Sequence, residues 1–297
     1  MEENVLRALI SLLDDEDREV YAHVREKLLS MGPEVIPSLE QVWTENNYPA
    51  IHGKLEDLIH DIQFSSLRRD FAQWAASLDA DLLTGAWLVS RIVYPGSELD
   101  DIRRKMLRLR QHIWLELNAN QTPLEQVHTF NQILFYHEAF RGHQADDPYS
   151  FCLPYVLEKR TGNSLSLGIL YLCLSADLNL PVYGVNLPRH FVLAFSRRML
   201  FSFSKEEALT ESDLLFYINP VNKGSVFSRN EIKDYLKRLK LDPRPAHFLP
   251  ASPKQIILVL IQQLQEAFQA QKDRDRLDDL KQLKQILLDE MGDEESA

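Results

Sequence analysis

The 297-residue chain contains little cysteine and little glycine. Its two cysteines, Cys152 and Cys173, provide no disulfide framework, and such sparse use is typical of a reducing cytoplasm. The ten glycines form no Gly-rich loop of the kind that cradles a phosphate. We therefore expect a cytoplasmic protein that uses no cofactor.

The chain also lacks long apolar runs and an excess of basic residues. No apolar run approaches the roughly 20 residues that a membrane-spanning helix needs, and the N-terminus has no basic-then-apolar signal. The formal net charge is −11, from 33 basic and 44 acidic residues, which argues against a nucleic-acid groove. We predict neither a membrane nor a nucleic acid as a partner.

Apolar residues recur at helical spacing through the first half of the chain. Residues 1–66 read as two helix pairs, which resemble a short HEAT-like array. Residues 67–145 continue as helices, and one of them surrounds its apolar face with basic side chains. This stripe is either a solvated face or a site for an acidic partner, and its members are Arg103, Arg104, Lys105, Arg108 and Arg110.

The strand signals lie in the second half of the chain. Short β-branched or aromatic runs separated by turns predict strands at Val182–Asn186, His190–Phe195, Met199–Phe203 and Leu214–Asn219. A small antiparallel sheet packed on an apolar helix at Leu165–Leu178 would form a core over residues 146–250. Residues 251–297 return to a helical pair like one tetratricopeptide unit. The predicted fold class is α+β. We predict three domains, at residues 1–66, 67–250 and 251–297.

Five sequence blocks carry a family resemblance. They are DLLTGAWLVSRIVYP (81–95), FNQILFYHEAFRG (130–142), LEKRTGNSLSLGILYL (157–172), GVNLPRHFVLAF (184–195) and YINPVNKG (217–224). In this order they resemble the SirB-type branch of the transglutaminase-like superfamily over roughly residues 67 to 290. The resemblance implies a papain- or transglutaminase-like core with a helical N-terminal region and tetratricopeptide-like C-terminal helices.

Active members of that superfamily use a Cys–His–Asp triad for acyl transfer to or from amides. By this resemblance, the nucleophile position falls on Ser164, the histidine on His190 and the aspartate position on Asn219. A serine hydroxyl is far less ionised than a thiol at neutral pH and needs a well-tuned base. An Asp-to-Asn change alone costs a serine triad about 10⁴-fold in turnover. The SirB-type branch also generally lacks the cysteine, so the resemblance implies a non-catalytic domain.

Other residues near the triad positions are alternative site residues. Cys152 precedes the helix and is either an inert packed thiol or a substitute nucleophile, whereas Cys173 lies mid-helix and reads as core. Ser166 is expected to hydrogen bond the local backbone. We predict that Ser150, Cys152, Arg160 and Ser166 line the cleft around Ser164, His190 and Asn219.

A metal site is not expected from the sequence. His137 with Glu138, and His143 with Asp146 and Asp147, lack the H-E-x-x-H or C-x-x-C spacing that fixes one. They read instead as polar residues of a solvated loop.

Two functions therefore remain open. The first is a non-catalytic transglutaminase-like module that binds a protein or peptide in the ancestral cleft. The second is an amide hydrolase or acyl transferase that uses Ser164 or Cys152 with His190 and Asn219. The sequence leaves the oligomeric state and the identity of the partner open.

Overall fold

The computed structural model describes residues 3–14, 17–44, 52–143, 147–200 and 209–296. The chain divides into two compact units, Met1–Gln73 and Trp74–Ala297. The helices and small sheets give the predicted α+β class. The three-domain division with boundaries after 66 and 250 remains a prediction.

The first unit is a small helical body with its own core. Asp17 begins the second helix because its carboxylate accepts the Glu19 N–H at 2.8 Å. Buried Leu28, Leu39, Leu55 and other apolar residues form one cluster among the helices. The helices are α1 (Glu3–Ser11), α2 (Arg18–Met31), α3 (Ile36–Thr44) and α4 (His52–Ala75), the last of which ends in the second unit. The HEAT-like character of this unit remains a prediction.

The second unit combines eight further helices with two sheets in the described residues. A 3-10 turn at Pro148–Phe151 precedes the fourth of these helices. The helices are α5 (Leu82–Ser90), α6 (Leu99–Glu116), α7 (Pro123–Asn131), α8 (Leu153–Lys159), α9 (Ser164–Asp177), α10 (Arg229–Arg238), α11 (Pro253–Gln271) and α12 (Arg274–Ser296). A π-helix at Gln132–His137 extends α7 into the segment predicted as a loop. No helix in the described parts of the chain has the length and apolarity that a membrane crossing requires.

The main sheet is antiparallel, and its strands pair in the order in which they occur in the chain. Its strands are β3 (Val182–Leu187), β4 (His190–Ser196), β5 (Leu214–Asn219) and β6 (Ser225–Phe227). A separate parallel pair joins β1 (Arg141–Gly142) to β2 (Thr161–Gly162). Three predicted strands correspond to β3, β4 and β5, whereas residues 201–203 of the predicted Met199–Phe203 strand lie outside the described residues.

Helices cover both faces of the main sheet. Alternation along β4 directs Phe191 and Leu193 toward α9, where Gly168 lets the Phe191 ring approach the helix so closely that a Cβ would not fit. Val192 and Ala194 point the other way and pack with Leu236 of α10. The two-sided burial explains the nearly continuous apolar runs of β3 and β4.

Candidate functional site

The site begins at the first turn of α9. Asn163 caps this helix: its side-chain oxygen accepts the N–H groups of Leu165 at 3.0 Å and Ser166 at 2.9 Å. The Ser166 hydroxyl in turn accepts the Asn163 N–H at 3.0 Å, which completes a capping box. Ser164 is therefore the first helical residue, at the end of the helix dipole that favours negative charge.

The hydroxyl of Ser164 faces the backbone of β4. Its oxygen accepts the N–H of Phe191 at 3.3 Å, and the side chain is partly buried. Among the described residues, no hydrogen bond joins this hydroxyl to the His190 ring. The contact ties the helix to the strand but supplies no base that could take the serine proton.

His190 lies at the start of β4, and the side chain of Asn219 at the end of β5 interacts with it. Burial lowers the pKa of His190, and the interaction with Asn219 opposes this shift only in part. The ring also lies 6.5 Å from that of Tyr235, centroid to centroid, on α10. The histidine and the asparagine of the predicted triad are thus together, and His190 is held toward its neutral form.

Asn219 also shapes the turn that follows it. Its Oδ1 accepts the N–H groups of Val221 at 3.2 Å and Asn222 at 3.3 Å, and its main-chain oxygen accepts the Gly224 N–H at 2.9 Å. An asparagine suits such a turn because its short side chain bonds its own backbone two or three residues on. This gives Asn219 a structural role that needs no catalysis.

Three of the predicted cleft residues are buried instead. Ser150 and Cys152 are each 1% exposed and Ser166 is fully buried. The Ser150 hydroxyl donates to Asp147 O at 2.7 Å, the Cys152 thiol to Pro148 O at 3.7 Å, and the Ser166 hydroxyl to Ser150 O at 2.8 Å. These side chains support the loop before α8, and they cannot line a cleft open to solvent. Burial raises the pKa of the Cys152 thiol to about 12, the opposite of what a nucleophile needs.

Arg160 ends α8 in a left-handed conformation with φ of 58°. Its guanidinium lies 2.8 Å from the Glu138 carboxylate and over the Phe140 ring at 4.7 Å. Glu138 is only 15% exposed and also contacts His112 of α6. The sequence did not single out this cluster, which joins α6, the end of the π-helix and α8.

Glu138 belongs to the first possible ligand set, but its carboxylate contacts the Arg160 guanidinium and the His112 ring. Within the described segments, no three His, Cys, Asp or Glu side chains gather into a metal-binding group. Asp146, which belonged to the second possible ligand set, lies outside the described residues.

A groove of about 770 Å³ is bordered by the turn that follows Asn219. One wall is α7 and the π-helix, and the other is the turn 222–224 with β6. Leu124, Tyr136 and Val226 line it and are 55%, 55% and 41% exposed. Lys223 places its ammonium 4.7 Å from the centre of the Tyr136 ring. The groove joins segments about 90 residues apart, so no local sequence signal could have revealed it.

Comparison with known proteins identifies relatives of the site-bearing region. The family model described as "Transglutaminase-like superfamily" matches residues 100–262, just over half of the chain. A UPF0162 protein of Vibrio cholerae is 24% identical over 158 residues, which are 52% of this chain and 53% of the relative. A UPF0162 protein of Haemophilus influenzae is 31% identical over 100 residues, 33% of this chain and 38% of the relative.

A eukaryotic protein shows the same similarity over a smaller share of its length. Mouse F-box only protein 21 is 25% identical over 139 residues, 42% of this chain and 22% of that protein. The chain spans less than two thirds of the length of these relatives. No solved structure gives a significant match to the chain.

Proposed function

The chain belongs to the transglutaminase-like superfamily, and we propose that it is a non-catalytic member that binds a segment of a partner protein. We place it in the SirB-type branch, whose members generally lack the cysteine nucleophile. The five ordered sequence blocks support this placement, as do the retained His190 and the substitutions at Ser164 and Asn219.

The observation that carries the proposal is that the Asn219 side chain has two sets of partners. Its amide contacts His190, and its oxygen also holds two backbone N–H groups of the turn that forms one wall of the groove. The triad position has therefore become part of the scaffold of a concave surface. Concave surfaces lined by apolar groups with a few polar ones are the usual form of binding sites.

The chemistry at the nucleophile position supports the absence of turnover. A serine needs a base that accepts its proton, but among the described residues no hydrogen bond joins the Ser164 hydroxyl to His190, and its oxygen accepts the N–H of Phe191. Cys152, the alternative nucleophile, is buried, and so is Cys173. Neither thiol thus has the exposed, electropositive surroundings of a reactive cysteine.

The groove suits an extended segment. Within the described part of the chain, strand β6 is at the edge of the sheet and pairs only with β5. An edge strand offers backbone N–H and C=O groups to an added strand, while neighbouring pockets select its side chains. The exposed Leu124, Tyr136 and Val226 would contact the apolar side chains of that segment.

The absence of catalysis is tested with a fluorophosphonate probe on the folded full chain, with an active serine hydrolase as the positive control. We expect the wild type to be labelled no more than Ser164→Ala. Labelling of the wild type that disappears in both Ser164→Ala and His190→Ala would establish the hydrolase or acyl-transferase alternative.

The binding role is tested with a photo-crosslinking amino acid at position 136 of the full chain. The matched control carries it at position 78, since Leu78 is 91% exposed and does not line the groove. We expect crosslinks from position 136 to map to one short segment of one protein and to be lost with Val226→Asp. Indistinguishable crosslinking from positions 136 and 78 would contradict binding in the groove.

A further inference from the structure

Helix α6 exposes large apolar side chains on the face that it turns away from the core. Its inner face, Ile102, Met106, Leu109 and Ile113, is almost completely buried and fixes the orientation of the helix. The opposite face exposes Leu107 by 47%, Trp114 by 61% and Leu115 by 70%. Leu107 and Trp114 are seven residues apart, so they lie on one stripe two turns long.

Helix α6 as a whole is basic in an acidic protein. Helix α6 contains five Lys or Arg residues against three Asp or Glu, a net charge of +2, whereas the whole chain carries −11. Arg103 pairs with Asp100 at 3.6 Å and Arg104 with Asp101. Arg108 lies on the outward face and has no ion-pair partner among the described residues. Its charge is therefore unpaired, and it shares a stripe of the helix with Leu115, seven residues further on.

This combination is typical of interaction surfaces. Tryptophan and arginine dominate the residues whose truncation costs most at protein interfaces. The three apolar side chains, together with Arg108, require a partner that brings both apolar groups and carboxylates.

The charge is too small for a polyanion. Asp100, Asp101 and Glu116 lie on the same helix and would repel phosphates, and nucleic-acid or anionic-lipid binding depends on several uncompensated cations. A protein segment with a few carboxylates has no such requirement. The surface is also distinct from the groove, because none of its residues lines that cavity.

We infer that the outward face of α6, formed by Leu107, Arg108, Trp114 and Leu115, docks a partner-protein segment that carries carboxylates beside large apolar side chains. The tryptophan and leucines contact the apolar side chains, and Arg108 pairs with a carboxylate. This surface would be a second binding site in addition to the groove. The inference does not depend on binding in the groove.

The test is selection of a phage-displayed random 16-residue peptide library on the full-length chain, followed by binding of the enriched peptides to variants. We expect acidic peptides with Leu, Phe or Trp that bind Trp114→Ala and Arg108→Glu at least about tenfold more weakly than wild type. Their affinity should fall as salt is added, because the charges are exposed. The matched control is Leu78→Ser, which also removes an exposed apolar side chain but lies outside α6. This variant should bind the peptides as wild type does.

Three results would overturn the inference. They are enriched peptides that bind the α6 variants as well as wild type, the absence of any peptide that depends on Trp114, and binding of phosphatidylserine vesicles or single-stranded RNA that requires Arg108. Equal thermal unfolding of wild type and variants establishes that a loss of binding is not a loss of folding. Photo-crosslinking from position 136 remains a separate result, so failure of this surface and failure of the groove are distinguishable.

Discussion

The Asn219 side chain interacts with His190 and at the same time holds the backbone of the turn that follows β5. In an active member of this superfamily, the residue at the position of Asn219 would be an aspartate whose negative charge stabilises the protonated imidazole. Here the amide is neutral, and burial is the larger influence on the histidine. The two triad positions therefore lie together, while burial favours an uncharged ring.

The first prediction concerns pH and His190. Because burial lowers its pKa in the folded state, the unfolded chain binds the proton first as pH falls through about 6.5. The free energy of unfolding should then decrease from pH 7.5 to pH 5.5, and His190→Gln should remove part of that decrease. Urea unfolding at the two pH values measures it. Equal decreases in wild type and variant would show that His190 is not held neutral by the fold.

The second prediction concerns the hairpin turn before His190. Leu187 pairs with His190, so Pro188 and Arg189 form the two-residue loop, and Arg189 has φ of 62°. A left-handed conformation costs a residue with a Cβ about 1 kcal/mol relative to glycine. Arg189→Gly should therefore raise the free energy of unfolding by up to about that amount.

Thermal and urea unfolding of Arg189→Gly check this, with Arg197→Gly as the matched control. Arg197 is also an exposed arginine beside β4, but its φ is not positive. Glycine there should lower stability because it adds freedom to the unfolded chain. Stabilisation by both variants, or by neither, would argue against strain at Arg189.

The third prediction concerns the wall of the groove. Gly224 has φ of +70°, and a Cβ there would collide with the Asn131 side chain, whose amide donates to Gly224 O at 2.8 Å. Gly224→Ala should cost about 2–4 kcal/mol from backbone strain and overpacking together. The matched control is Gly96→Ala, where a Cβ meets nothing within 4 Å.

The collision makes the Gly224 and Asn131 substitutions non-additive. Asn131→Ala alone loses a hydrogen bond, but in the double variant it also removes the atom that the new methyl group strikes. The double variant should therefore be more stable than the sum of the two single losses predicts. Simple additivity in urea unfolding would mean that Gly224 is required for its φ alone.

The sequence predicted α9 and three strands of the main sheet because burial on both faces leaves long apolar runs. It did not predict β6, which has only three residues, two of them exposed. For Ser166 it predicted only a bond to the local backbone, whereas the bond from Ser166 to Ser150 O crosses 16 residues of chain. The groove depends on a contact between Asn131 and Gly224 that spans 93 positions. Such features arise from tertiary packing, to which local patterns are blind.

The fourth prediction concerns the two thiols. Burial raises the pKa of Cys152 to about 12 and also raises the pKa of Cys173, so almost no thiolate is present in the folded protein at pH 8. Iodoacetamide should modify neither residue in the folded chain and both residues in urea. Mass spectrometry of the digested protein measures the modification. Rapid alkylation of Cys152 in the folded state would restore it as a candidate nucleophile.

The fifth prediction separates the two serines of the first turn of α9. Ser166 is fully buried, closes the capping box with Asn163 and donates to Ser150 O, so Ser166→Ala leaves two backbone groups without their partner. The expected cost is about 2 kcal/mol or more, since each unsatisfied buried group costs about 1–3 kcal/mol. Ser164→Ala removes one long bond at a partly exposed position, so it should cost less than about 1 kcal/mol. Urea unfolding of both variants compares the losses. If Ser164→Ala cost as much as Ser166→Ala, Ser164 would also have a structural role. Its bond with the Phe191 N–H would then explain why the nucleophile position is a serine.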